Sequence, residues 1–460
     1  MSTPHIGSTE DTIVALATAP GVGAIAVIRL SGNDAIKICN KVFKGKDLEK
    51  QESHTLHYGT IRDNDKIIDE VVVSLFVAPK SFTKENVVEI SCHGSPFIVK
   101  QVIKVLLANG ARLALPGEFT KRAFLNGQFD LAQAEAVADL INSDSAASHE
   151  AALNQMRGGF SEQIRQLREE LIHFASMIEL ELDFGEEDVE FADRDDLKQL
   201  INNLLKVINV LIDSFDLGNV IKNGVPTVIA GKPNAGKSTL LNALLNEEKA
   251  IVSDIAGTTR DFIEDEINLG GIAFRFIDTA GLRETTDTIE KIGVERTQQQ
   301  MKKASLIIYM IDMANDNLVD VNRDINKLEN LGIPFIVVGN KEDRAQPDLK
   351  AAIKKINGSV LISAATKENL DALKDRILEV VNLDNFKTGD TIVTNIRHYD
   401  NLLKTRNALM DVLNGLDSNI TGDFLAMDIR QSLHYLGEIT GEITTDDLLA
   451  NIFSKFCIGK

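Results

Sequence analysis

Hydrophobic residues follow two rhythms along this chain, and the change of rhythm divides it. Between residues 12 and 113, short runs rich in β-formers (Ala24 to Leu30, Val71 to Phe76, Val87 to Cys92) alternate with helically spaced patches (Asp34 to Phe43, Ile98 to Leu107). That alternation predicts an α+β domain. From Leu131 apolar residues recur three and four apart, through Ala134, Val137, Ala138 and Ile141, then through Ile164, Leu167, Leu171 and Ile178. Such spacing predicts helices with one buried face. Ten acids and one arginine between Glu179 and Asp196 predict a solvated inter-helix segment kinked at Gly185. A helix from Leu197 to Phe215 then leads through Gly218 and Gly224 to Pro226. Continuous apolar runs follow (Val228 to Ala230, Ala273 to Ile277, Phe335 to Val338), the pattern of strands buried on both faces. After Leu383 the chain is helical and polar-faced again, from His398 to Leu413 and from Phe424 to Tyr435. The economical reading is an α+β domain (1–128), a discontinuous helical domain (129–221 and 384–460), and an α/β domain inserted into it (222–383). No internal repeat or low-complexity tract interrupts this order.

Composition narrows the class. With 460 residues, 44% hydrophobic and 25% charged, the chain is long enough for several cores. No apolar stretch approaches the ~18 residues of a membrane span, and MSTPHIGSTED has neither the basic start nor the apolar core of a signal peptide. The three cysteines (Cys39, Cys92, Cys457) lack C-x-x-C spacing, which argues against a disulfide framework or zinc site and for a reducing, cytoplasmic setting. Residues 1–128 hold 15 Lys+Arg against 13 Asp+Glu, a balance of +2, so the rest of the chain carries −21 of a net −19. A chain this acidic is a poor general binder of nucleic acid. Any RNA contact has to be local or lent by a partner.

Four motifs in the inserted domain carry chemistry. Gly231 to Ser238 reads GKPNAGKS, between a strand-like run and a helix-like one. This arrangement points backbone N–H groups at a polyphosphate. Lys237 is then expected against the β- and γ-phosphates, and the Ser238 hydroxyl as an oxygen ligand for Mg2+. Asn234, Ala235, Gly236 and Thr239 complete the loop's nucleotide contacts. DTAG (Asp278, Thr279, Ala280, Gly281) follows a strand-like run, placing Asp278 toward the Mg2+ shell and Gly281 toward the γ-phosphate. In NKED (Asn340 to Asp343, with Lys341) the Asp343 carboxylate is an acceptor only and matches the two adjacent donors of guanine. Adenine offers no such pair. Asn340 and the backbone of Ala364, in SAA with Ser363, complete the base contacts. Position 282 is Leu, where many GTPases carry a water-positioning Gln. Something else must orient the attacking water.

The strings TAPGVGAIAVIRLSG, FTKENVVEISCHG and PGEFTKRAFLNGQFDLAQAEAVADLI, the loop AIVSDIAGTTRD and the ending FCIGK resemble the bacterial tRNA-modification GTPase family MnmE (TrmE) over nearly the whole chain. The resemblance implies a tetrahydrofolate-binding-like N-terminal domain and a Ras-like P-loop GTPase domain inserted in the helical domain. It also implies a homodimer, and a heterotetramer with a flavin-containing partner that installs an aminomethyl- or carboxymethylaminomethyl-type group on the wobble uridine of tRNA. It implies a potassium site of Asn234, Ser253, Ile255 and Thr258, with Thr259 on Mg2+ and Glu290 orienting water. By sequence alone Glu290 is one acid among several, with Glu284 and Asp287 nearby. The one-carbon donor would be a 5,10-methylene- or 5-formyl-tetrahydrofolate-like reduced folate, met by Arg29, Glu89, Gln128 and Lys460. Arg29 suits the glutamyl carboxylates and Glu89 the donor face of a pterin. Gln128 departs from the basic residue relatives often carry there. Cys457, with no histidine nearby in sequence, has a nucleophilic and a packing reading. Two other classes compete: a ribosome-assembly or other regulatory GTPase, disfavoured by the lack of a basic RNA-binding domain and by the folate-like N-terminus, and a GTP-regulated folate enzyme without RNA.

Overall fold

The computed structural model describes residues 11–183, 194–248, 265–277, 303–381, 391–418 and 420–459. The chain divides into two compact units, one of Met1–Ala138, Gln155–Asn202 and Lys404–Lys460, the other of Asp139–Asn154 and Asn203–Leu403.

Seven strands open the first unit: β1 (Ile13–Leu16), β2 (Ile25–Ser31), β3 (Phe43–Lys44), β4 (Thr55–Asp63), β5 (Lys66–Phe76), β6 (Val87–His93) and β7 (Arg112–Leu113). They form one sheet in the order β3-β4-β5-β6-β2-β1-β7, antiparallel except for β1 with β7. Helices α1 (Ala35–Val42) and α2 (Pro96–Ala108) cover one face, burying Ile38, Cys39, Val102 and Leu106 in a shared core with Ile28, Leu30, Val73 and Ile90. The hydrophobic pattern foretold β2, β5 and β6 but not β4. Its buried positions are His57, Gly59 and Ile61, while Leu56 and Tyr58 face outward, so the apolar signal is inverted. Gly59 is required there because a Cβ would lie 2.5 Å from the Phe43 ring.

A buried ion cluster fixes α3 (Glu118–Leu125) to this domain. Arg122, 3% exposed, donates to the Asp11 carbonyl (2.7 Å) and pairs with Glu85 and Glu118, each at 3.2 Å. Arg112 donates to both oxygens of Glu118. Burial alone would raise the Glu118 carboxyl, but the Arg112 hydrogen bond, the Leu115 amide and the two guanidinium charges outweigh it and hold the group below its ordinary value.

Helices α4 (Leu131–Asn142), α5 (Ala146–Met156), α6 (Gly159–Asp183) and α7 (Arg194–Asp213) follow. In α4 the buried face is Leu131, Ala132, Ala134 and Ala136, and Ile141 is 43% exposed, against the face expected from spacing. A second difference concerns the expected link through Gly218. A further helix, α8 (Phe215–Asn223), runs straight through that glycine, whose missing Cβ would lie 2.1 Å from the Val393 carbonyl oxygen. Gly218 therefore serves close backbone approach inside a helix, and the break comes at Gly224.

Among the described residues the second unit has six strands: β8 (Val225–Gly231), β9 (Asp265–Leu269), β10 (Ile272–Phe276), β11 (Leu306–Asp312), β12 (Phe335–Asn340) and β13 (Val360–Leu361). Their order is β13-β12-β11-β8-β10-β9, parallel except for β9, with β8 inside the sheet. Helices α9 (Lys237–Glu248), α10 (Leu318–Glu329), α11 (Pro347–Ile353) and α12 (Leu370–Val380) accompany it. Two cores, around Phe274 and Ile308 on one side and Ile307 and Val337 on the other, bury both faces. Crevices beyond the carboxyl ends of such strands are where open α/β sheets hold ligands.

Helices α13 (Ile396–Asp417), α14 (Gly422–Thr440) and α15 (Asp446–Ser454) close the chain. Within the first unit α14 packs along α6, with Arg430 and Glu179 paired at 2.7 Å. Leu449, Ile452 and Phe453 of α15 bury against Leu131 and Ala134. Cys39 and Cys92 are buried and Cys457 is exposed.

Candidate functional site

Strand β8 ends at Gly231, and the loop that follows turns into α9 at Lys237. Asn234 sits in the left-handed region (φ 61°), which asparagine tolerates, and its exposed side chain makes no hydrogen bond with a described residue. Gly236 (φ 98°) has no substitute, since a Cβ would lie 2.2 Å from Nδ2 of Asn340. Asn340, at the end of β12 and 3% exposed, donates through Nδ2 to the Ala235 carbonyl (2.7 Å) and accepts through Oδ1 from the Ala364 amide (3.0 Å). One buried amide thus ties the loops of three sequence motifs together.

Around that point the charges are arranged by partners. Lys237 donates through Nζ to the carbonyls of Gly231 (2.8 Å) and Lys232 (2.9 Å), and burial pushes its ammonium below the usual lysine range. Ser238 and Thr239 occupy the first turn of α9. Lys341 bonds the Asn234 carbonyl (2.9 Å) and pairs with Asp312 (2.6 Å) at the end of β11. Burial would raise the Asp312 carboxyl, but Lys341, Asn315 and the Ala314 amide together hold it below its ordinary value. Asp343 accepts from the Ser363 hydroxyl (3.1 Å) and its side chain is 41% exposed. The Ile277 amide bonds the Thr227 carbonyl (3.0 Å), so the chain runs beside β8 up to the residue before Asp278. Asp278, Thr279, Ala280, Gly281, Ser253, Ile255, Thr258, Thr259 and Glu290 lie outside the described residues.

In the first unit, Arg29 on β2 and Glu89 on β6 face each other in register, as do Arg29 and Ala15 of β1. Arg29 donates to Oε1 of Glu89 from Nε (2.9 Å) and Nη2 (2.8 Å). Its guanidinium lies 5.6 Å from the Phe82 ring centre and 5.9 Å from that of Phe119. The C-terminal segment reaches the same strands. The Gly117 amide bonds the Cys457 carbonyl (3.3 Å), and a Cβ on Gly459 would lie 2.1 Å from the Leu16 carbonyl oxygen, one residue from Ala15. Lys460 itself lies outside the described residues. Gln128 is exposed; Lys84 bonds the preceding Gly127 carbonyl (2.6 Å), and the following Phe129 ring tilts against Phe82. Arg29 and Glu89 are thus paired on the sheet with the tail backbone beside β1, while Gln128 is linked toward them only through its neighbours Gly127 and Phe129.

Known proteins match along the full length. Residues 12–128 match the family model of the GTP-binding protein TrmE N-terminus, and residues 131–457 match that of the MnmE helical domain. The chain is 63% identical to the tRNA modification GTPase MnmE of Cytophaga hutchinsonii, covering 100% of both. The chain belongs to the MnmE family. Identity is 54% to the protein of that name in Christiangramia forsetii (98% of this chain, 99% of the relative) and 52% to that in Bacteroides thetaiotaomicron (98% and 100%). Among solved structures, the G domain of the T. maritima FeoB iron transporter aligns with 34% of this chain and 99% of its own at 25% identity and a TM-score of 0.26.

As a member of the MnmE family the chain is a tRNA-modification GTPase, a GTP hydrolase with a TrmE-type N-terminal domain and a helical domain. Among the described residues no helix is long and apolar enough to cross a membrane. A polar cavity of about 220 Å³ lined by Asp139, Lys222 and Arg275 lies apart from the motif loops. Its cations are already paired, Lys222 with Asp139 (2.7 Å) and Arg275 with Asp144 (3.0 Å), so it offers no free charge to a ligand. Three side chains at the two sites escaped the sequence reading. Phe82 and Phe119 flank Arg29, and only the fold brings them there. Asp312 had a visible signal, an acid closing the apolar run Leu306 to Ile311.

Proposed function

We propose that this MnmE-family GTPase reads guanine with Asp343, Asn340 and the Ala364 backbone, holds the phosphates with Lys237 and the loop from Asn234 to Thr239, and uses both Mg2+ and K+. The observation that carries this reading is the buried Asn340 amide, bonded to Ala235 on the phosphate-loop side and Ala364 on the base side. Such a bridge sets the distance between the two ends of one nucleotide. Ser238, with Thr259 and Asp278, would hold Mg2+. The exposed Asn234 amide at the loop apex suits a potassium ligand, to be joined by Ser253, Ile255 and Thr258. A potassium ion there supplies positive charge beside the β- and γ-phosphates. Glu290 would orient the water that Leu282 cannot.

The first unit would carry a reduced folate, 5,10-methylene- or 5-formyl-tetrahydrofolate-like. Arg29 is committed to Glu89, so the two would serve one end of the ligand: Glu89 toward the donors of a pterin, and Arg29 holding that carboxylate in place. A glutamyl tail would then need other cations, for which Lys460 is available in sequence. Gln128 contributes a neutral amide. The tail's approach to β1 supports a positioning role for Cys457 above a nucleophilic one. With a homodimer and a flavin-containing partner in a heterotetramer, the product would be an aminomethyl- or carboxymethylaminomethyl-type group on the wobble uridine of tRNA.

The test separates the two chemistries. Purified Arg29→Ala protein should hydrolyse GTP at the native rate, several-fold faster in potassium than in sodium, with that preference lost in Asn234→Ala. Nucleoside mass spectrometry of tRNA from a deletion strain carrying Arg29→Ala should find the wobble modification missing. Equal native rates in the two salts remove the potassium reading; normal modification with Arg29→Ala removes the folate one.

A further inference from the structure

The chain acts on tRNA yet carries a net charge of −19, so the cations that could meet an RNA backbone must be gathered somewhere. Helices α1 and α2 lie on one face of the seven-stranded sheet, in the same core. Their sequences, AIKICNKV and PFIVKQVIKVLLA, contain four lysines and no Asp or Glu. Helical spacing puts Lys37 with Lys41, and Lys100 with Lys104, four residues apart, the second pair opposite Val102 and Leu106 and the first about a quarter turn around from Ile38 and Val42. All four are exposed, and none makes an ion pair with a described residue. Phe97, 67% exposed, stands one turn before Lys100 on the same side. The chain leaving α1 adds exposed Lys44 and Lys46. The nearby acids are Asp34, which precedes α1, Asp47, which is paired with Lys50 at 3.0 Å, and Glu49, which accepts from the Asn40 amide of α1 at 3.2 Å.

Many other cations among the described residues are spent on acids, as Lys232 is on Asp316 and Asp320, Arg275 on Asp144 and Glu266, and Arg430 on Glu179. Lysines left without acids, in two stripes with side chains about 6 Å apart along each axis, match the repeating charge of a phosphodiester strand. We propose that the α1–α2 face is a tRNA-backbone contact surface, with Lys37, Lys41, Lys100 and Lys104 meeting phosphates and Phe97 available to stack on an unpaired base. Contacts of this kind position RNA and carry little sequence information. They account for how an acidic chain approaches a polyanion: it turns toward it a helical layer whose four lysines make no ion pair with a described residue. The inference rests on the family's tRNA modification and on this charge pattern, and is independent of the folate and potassium readings.

Fluorescence anisotropy of an end-labelled tRNA transcript against the full-length protein, over a salt series, tests it. Changing the four lysines together to Glu should weaken binding roughly 10- to 100-fold and lower the slope of log affinity against log salt by about 3, the loss expected for four phosphate contacts. GTP hydrolysis and thermal unfolding should stay native. The four Lys→Arg changes should preserve binding, which controls for folding. Lys37→Glu with Lys41→Glu should cost more than Lys354→Glu with Lys355→Glu, a pair of equal charge in the second unit. Unchanged affinity and slope in the quadruple variant, equal losses in the two pairs, or no measurable tRNA binding by the native chain overturns the proposal.

Discussion

Lys237→Ala should leave a folded protein whose GTP hydrolysis is reduced roughly 10³-fold, on the scale seen when one preorganised group facing transition-state charge is removed. The ammonium bridges two loop carbonyls, Gly231 and Lys232, and burial already lowers its preference for the charged form. Phosphate oxygens would repay that desolvation with charge-assisted hydrogen bonds. Alanine loses both the loop closure and the charge, so nucleotide affinity should fall together with turnover. Asn340, 3% exposed, still links Ala235 and Ala364, which keeps the loop anchored and separates this effect from unfolding. Phosphate release and the binding of a fluorescent GTP analogue measure the two quantities. Hydrolysis within a few-fold of native would show that the GKPNAGKS lysine does not face the phosphates.

The largest loss of stability is expected from Arg122→Met. This guanidinium is nearly water-free and holds Glu85, Glu118 and the Asp11 carbonyl. Removing one partner of a buried ion cluster leaves uncompensated charge and typically costs about 3–5 kcal/mol, a large share of the 5–15 kcal/mol that holds an ordinary domain together. The sign of the pH dependence follows from Glu118. Its folded carboxyl titrates below the unfolded value of about 4.3. The stability it contributes is therefore present above that value and is lost as pH falls through the lower, folded one. Native protein should weaken steeply below about pH 4. The variant should start weaker and show a shallower acid limb, since one of the charges that lowers the Glu118 carboxyl is gone. Melting curves from pH 7 to pH 3 check both; a loss under about 1 kcal/mol would mean that the cluster is solvated and nearly neutral in effect.

How far the sequence foretold this arrangement depends on whether a signal is local. The loop between β8 and α9 was legible because strand, glycines, lysine and helix lie within about twenty contiguous residues. Asn340 and Ala364 were legible as members of their motifs, but the bonds that join Asn340 to Ala235 and Ala364 were not. What failed were features set by distant neighbours. Strand β4 hides its inward face behind His57 and Gly59, because Phe43 fills the space a side chain would take. Gly218 read as a break and proved to be a point of close approach to Val393, more than 170 residues away. Arg29 read as an independent ligand, yet it is clasped by Glu89 and flanked by Phe82 and Phe119. Pairing across strands and ring placement are tertiary facts, and no window of sequence contains them.

The three cysteines have a practical consequence. Burial pushes the Cys39 thiol up to about 12, and burial together with the nearby Asp69 charge pushes Cys92 up to about 11, so neither forms a useful thiolate in neutral buffer. Cys457 is exposed, three residues from the end of the chain and bonded through its carbonyl to Gly117. A maleimide reagent therefore meets one reactive thiol per native chain and three once the protein is denatured. The unmodified sequence thus carries its own address for a spectroscopic probe, seated on the segment that lies against β1.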